Sequence, residues 1–153
     1  MHVTRDGLRQ SPDIRNIKSC VIVCGLHRSG TSAVTRLVNL LGADIAGDLL
    51  PKDPNNSRGY WESRAVIDIH AGLLRAVGMG SDPFDPVPLR TDWLTTGFAR
   101  DAKSRLADLI QSRFADSRLF VVKDPRISRL LLDGVAARSR NRARRRHPVS
   151  QPA

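Results

Sequence analysis

Residues 25–32 read Gly-Leu-His-Arg-Ser-Gly-Thr-Ser. Two glycines bracket a basic residue and hydroxyls come after it, a set suited to gripping an oxyanion. Gly25 and Gly30 let the backbone wrap closely round a ligand. Ser29, Thr31 and Ser32 add hydroxyl donors, and His27 stands in the same turn as a further donor. Arg28 supplies a fixed cation whose fork matches phosphate or sulfate. A helix starting at the end of this turn would aim its unpaired N–H groups and the positive end of its dipole at the same anion. The nucleotide-hydrolase pattern G-x-x-x-x-G-K-[ST] fits the glycine spacing and Ser32, but Thr31 stands where its lysine belongs. Without that ammonium a γ-phosphate is hard to reach. The cation has moved into the loop, at Arg28, which suits a terminal anion that needs no magnesium bridge.

The surrounding residues supply elements to hold this turn. Residues 18–24, KSCVIVC, form a short β-branched run ending at Gly25, which predicts a buried strand. Val34, Leu37, Val38 and Leu41 lie on one face of a helix over 31–41, with Gly42 as its C-cap. Residues 43–60 are irregular. Val66, Ile69, Leu73, Leu74 and Val77 predict a helix over 62–77, and the prolines of 79–90 predict a loop. A long amphipathic helix is expected over 92–115, with Phe98, Ala102, Leu106, Leu109, Ile110 and Phe114 inside. Residues 118–122, RLFVV, predict a second buried strand, which Pro125 ends. A short helix is expected over 127–137. Two buried strands with helices between them predict an α/β fold, a P-loop-like parallel sheet with flanking helices. With so few strands it is an incomplete three-layer α/β/α arrangement. Lys123 falls at the C-terminal end of the second strand, where open α/β sheets place ligands.

The chain has 153 residues and a net charge of +10. Six arginines fall within 138–146, RSRNRARRR, and without them the remainder carries only +4. The basicity belongs to a tail rather than to a folded face. No aromatic residues interleave with those arginines, so no specific nucleic-acid recognition is expected. No apolar run approaches the ~20 residues of a membrane span, and the N-terminus lacks the apolar centre of a secretory signal. A cytoplasmic location is expected. Cys20 and Cys24 share one face of the first strand, with no second ligand pair for a metal, and are expected to be buried structural thiols. The organisation predicted is a disordered stretch over 1–16, a domain over 17–136 and a disordered arginine-rich tail over 137–153.

The stretch GLHRSGTSAVTRLVNLLG (25–42) resembles the 5′-phosphosulfate loop of the sulfotransferase family, in which a basic residue precedes Ser-Gly-Thr-[ST]. NSRGYWES (56–63) and FVVKDPRISRLL (120–131) are similar to later segments of bacterial members and of carbohydrate sulfotransferases. The resemblance covers about residues 18–132. It implies transfer of a sulfuryl group from 3′-phosphoadenosine 5′-phosphosulfate (PAPS) to a hydroxyl or amine of a small-molecule, carbohydrate or lipid acceptor, without a metal. By the same resemblance Arg28 contacts the 5′-phosphate and the bridging oxygen, with Ser29, Gly30, Thr31 and Ser32 cradling the phosphate. Negative charge builds on that bridging oxygen as the S–O bond breaks, and a prepositioned cation stabilises it. Glu62 matches the general base that removes the acceptor's proton, or else is a glutamate placed to favour a helix dipole. Lys123 matches a residue touching the sulfonate or the acceptor, or else is a solvated strand-end lysine. Asp124 and Arg126 are expected to pair with each other or line the cleft. His70 is read as a satisfied core histidine, and Tyr60 and Trp61 as packing residues.

The chain departs from the family in two respects. The pattern R-[DN]-P-x-x-x-x-x-S, which holds the nucleotide's 3′-phosphate, does not occur in it, and KDPRIS is the nearest string. After Val135 aliphatic residues almost cease. These features carry the expectation of a truncated or frame-shifted family member with weak PAPS binding and little or no turnover. Two other readings remain open: a nucleotide or small-molecule kinase with a degenerate loop, and a non-enzymatic module whose basic tail contacts nucleic acid.

Overall fold

The structure, a computed structural model, describes residues 18–78, 89 and 92–131. The expectations for 1–16, for most of the loop over 79–90, for the helix beyond 131 and for the tail over 137–153 fall outside the described residues. Strand β1 spans Ser19–Val23 and β2 spans Leu119–Lys123, and they pair in parallel with Val21 opposite Val121 and Val23 opposite Lys123. Between them run helices α1 (Thr31–Leu40), α2 (Arg64–Ala76) and α3 (Gly97–Arg113), with a 3₁₀ turn at Trp93–Thr95. Residues 126–131 are again helical. The fold is mixed α/β with a two-stranded parallel sheet, and a bridge from Asp44 pairs with the far edge of β2 at Phe120.

Strand alternation decides which helix each sheet face meets. Val21, Val23 and Val121 cluster with Ala43 and with Val38 of α1. On the opposite face Phe120 and Val122 pack against Phe114 and Ile110 at the end of α3, where the rings of Phe114 and Phe120 stack with centroids 4.4 Å apart. A separate core joins α2 to α3 through Ile69, Leu73, Leu74, Trp93 and Ala102. Helix α2 keeps its expected inner face, and its start is fixed by Ser63, whose hydroxyl accepts the Val66 N–H at 3.3 Å. Thr96 caps α3 in the same way.

Four expectations are corrected. The first strand is not buried: among its five residues only Val23 is, because β1 forms the outer edge of the sheet and part of one face is uncovered. Cys20 and Cys24 lie on that face with Ile22 and are exposed free thiols. The apolar stripe of α1 has the expected helical period, but Val34, Leu37 and Leu41 face outward, 49%, 57% and 76% exposed, while Thr35 is the fully buried position. The Thr35 hydroxyl tolerates burial because it donates to the Thr31 carbonyl at 2.8 Å. Phe98, expected inside α3, is exposed in its first turn.

Candidate functional site

The turn from Gly25 to Gly30 closes as its sequence suggests. The Ser29 amide and hydroxyl both donate to the Leu26 carbonyl, at 3.3 and 2.6 Å. A Cβ on Gly25 would lie 3.1 Å from both Ser29 Oγ and Thr31 Cγ2, so the chain closes on itself too tightly there for a side chain. Gly30 is the N-cap of α1 at φ 84°, a left-handed conformation natural to glycine. It leaves α1 with no side-chain cap and no acidic residue in the first turn. The helix start therefore offers its N–H groups and its positive dipole end outward. Arg28 is itself left-handed at φ 61° and exposed. Such a conformation costs a non-glycine residue of order 1–3 kcal/mol and recurs at ligand clamps. His27 is exposed beside it.

Two distant segments reach the same point. Lys123 shares the face of β2 that carries Val121, so its side chain runs toward α1, and it is 5% exposed rather than solvated. Its ammonium donates to Glu62 Oε1 at 2.6 Å, to the Tyr60 carbonyl at 2.8 Å and to Ser32 Oγ at 3.1 Å. Three donors meet three acceptors. Glu62 precedes the N-cap Ser63, so it lies outside α2 and is held by the ion pair rather than by the helix dipole. Its second carboxylate oxygen has no partner among the described residues. An ammonium therefore reaches the hydroxyl of Ser32, from β2, 91 residues on. Sequence reading put the loop's cation at Arg28 and expected Lys123 at the sulfonate or the acceptor, or else solvated, without its contact to Ser32. The signal that was available is the alternation of β2, which puts Lys123 on the face toward α1.

The next residue points the other way. Asp124 is fully buried, its Oδ2 2.8 Å from His70 Nδ1 of α2 and its Oδ1 accepting from the Arg126 amide and guanidinium, both at 3.0 Å. Burial raises the Asp124 carboxyl, but the hydrogen bond and charge of His70 and the contacts from Arg126 outweigh it and hold the group below the usual carboxylate range. The Asp124–Arg126 pairing and the satisfied core histidine match expectation. Together they tie α2 to the end of β2 and fix the backbone that aims Lys123.

His27, Arg28, Gly30, Thr31, Ser32, Glu62 and Lys123 line one cleft of about 1040 Å³. Gly25 and Ser29, expected to hold the anion, are not in this lining and act within the turn itself. Tyr60 and Trp61, expected as packing residues, also line the cleft. Among the described residues no group of three His, Cys, Asp or Glu side chains is placed to hold a metal ion, and no helix is long and apolar enough to cross a membrane. No protein-family model, curated protein or solved structure matches the chain.

Proposed function

We propose that the chain is a sulfotransferase-type protein with a P-loop-like nucleotide site, using PAPS as the donor and an alcohol or amine as the acceptor. One observation carries this reading: the three stretches that resemble the family, distant in sequence, line a single cleft through Arg28, Ser32, Glu62 and Lys123. The uncapped start of α1, the Ser32 hydroxyl and Arg28 suit a 5′-phosphosulfate: they bind through N–H donors, one hydroxyl and one fixed guanidinium. The donor supplies an activated sulfuryl group, whose bond to the bridging oxygen breaks as its bond to the acceptor forms. Arg28 and Lys123 hold positive charge where the bridging oxygen becomes an anion. Glu62 orients the acceptor hydroxyl and takes its proton on the oxygen that Lys123 does not engage.

A phosphoryl-transfer reading is favoured by a single observation, the Lys123 ammonium 3.1 Å from Ser32 Oγ, near the position a P-loop lysine would serve. Calorimetric titration separates the two. The sulfuryl reading expects 3′-phosphoadenosine 5′-phosphate to bind without a divalent ion and Arg28→Ala to weaken it about tenfold or more. Because the 3′-phosphate pattern is missing, it expects that binding to be weak and little or no labelled sulfate to move from PAPS to an acceptor. Binding of ATP only with magnesium, and none of the bisphosphate, would overturn it.

A further inference from the structure

The wall of the cleft beyond Glu62 is built by residues 51–61 and by one arginine of α1. Asp53 fastens this segment internally: its Oδ1 accepts the amides of Asn55 and Asn56 at 2.8 and 2.9 Å, and its Oδ2 accepts the Tyr60 hydroxyl at 2.6 Å. Gly59 is buried at φ 100°, and a Cβ there would lie 3.6 Å from Trp61 Nε1 and 3.7 Å from Lys52 Cγ, so both side chains lie across it. Trp61 is held at φ 60°, and the Arg36 guanidinium stands 4.8 Å over its ring. The segment thus has its own scaffold, in which Arg36 and the aliphatic part of Lys52 take part by packing and not by pairing their charges. Arg36, Lys52 and Arg58 all line the cleft, and among the described residues none of them is in an ion pair. Among the described residues Glu62 is the only carboxylate in the lining, and it is engaged by Lys123.

One anion at the start of α1 leaves these three cations uncompensated. Like charges gathered on one wall repel each other unless an anion joins them, and a concave basic wall focuses the field on such an anion. We propose that Arg36, Lys52 and Arg58 form a second anion subsite, and that it takes an anionic group carried by the acceptor: an alcohol already bearing a sulfate, phosphate or carboxylate. The assignment to the acceptor rests on the sulfuryl-transfer reading above. It comes from position: Trp61, which carries Arg36 over its ring, adjoins Glu62 in the chain, and both line the same cleft. The other source of the same chemistry is the donor's 3′-phosphate.

Trp61 reports on this wall, because the second tryptophan, Trp93, is buried in the helical core. The probes are a sulfated uronic-acid disaccharide against neutral maltose, and 3′-phosphoadenosine 5′-phosphate against adenosine 5′-phosphate, monitored by tryptophan fluorescence. The expected result is preference for the sulfated sugar, lost about tenfold or more in Lys52→Ala/Arg58→Ala. The ratio of the two nucleotide affinities stays unchanged in that variant. Arg105→Ala, an exposed change on α3, leaves all four titrations as they were and controls for binding to basic residues at large. No preference for the charged sugar, or an equal loss in Arg105→Ala, overturns the subsite. A nucleotide ratio that collapses toward one in the double variant assigns the wall to the 3′-phosphate and overturns its acceptor role. If neither nucleotide binds but the sugar behaves as expected, the sulfuryl-transfer reading falls and the anion subsite stands.

Discussion

The Lys123 ammonium lies 2.6 Å from Glu62 Oε1, with both side chains almost wholly buried at the foot of the cleft. Removing one member of such a pair strands the other charge away from water, which costs about 3–5 kcal/mol, whereas removing both costs much less. Glu62→Gln and Lys123→Met are each expected to lower the unfolding free energy by about 3 kcal/mol or more, and the double variant by less than the sum of the two. Urea denaturation of the four proteins checks this. Additive losses would mean that the pair is not coupled.

The left-handed N-cap bears on binding and stability together. Gly30→Val forces a β-branched residue to φ 84° and is expected to cost roughly 1–3 kcal/mol. The space around Gly30 is open, so the cost is conformational and not steric. Nucleotide binding should fall with it, because the amides at the start of α1 no longer converge. Thermal melting and calorimetric titration on the same variant measure the two effects.

The pH dependence of stability has a definite sign at Asp124. Its folded pKa lies below the unfolded value of about 3.9, so its contribution is present above that pH and is lost as pH falls through the folded value. Asp124→Asn is expected to destabilise by about 1–3 kcal/mol at neutral pH. The gap between variant and native melting temperatures should then shrink as pH is taken below about 4. A gap constant from neutral to strongly acid pH would sink this assignment.

Tyr60 is the chain's single tyrosine, so its titration is read without ambiguity. The hydrogen bond it donates to Asp53 and the charge of that carboxylate favour the neutral phenol and push its pKa up. The ultraviolet phenolate signal should rise at a pH above the ordinary value of about 10, and Asp53→Asn should bring the midpoint down. An unchanged midpoint in Asp53→Asn would mean that the hydrogen bond does not hold the 51–60 segment in solution.

The uncovered face of α1 is tested by contrast with a core position. Leu41→Gln, at a site 76% exposed, is expected to change stability by no more than about 0.5 kcal/mol. Leu74→Ala, at a fully buried site between α2 and α3, should cost about 2–5 kcal/mol. Equal costs would show that Leu41 is covered in solution.

Periodicity in the sequence determined the elements: the strand into Gly25, the helices α1, α2 and α3, and the strand ending at Lys123 were all readable, because side-chain spacing derives from backbone geometry alone. The shape of the 25–32 turn was readable for the same local reason, since glycine freedom, a serine turned back on the chain and a helix start belong to consecutive residues. The sense of burial was not readable for β1 and α1. A period says which residues share a face, but only the neighbours say whether that face is covered, and Cys20, Ile22 and Leu37 lie on faces left open. The partners of Lys123 were likewise decided by tertiary structure. Its position at a strand end is local, but the parallel register that brings it to Ser32, and the docking of α2 through His70 and Asp124 that brings Glu62 to it, are contacts between residues 54 to 100 apart. No local propensity encodes contacts at that separation.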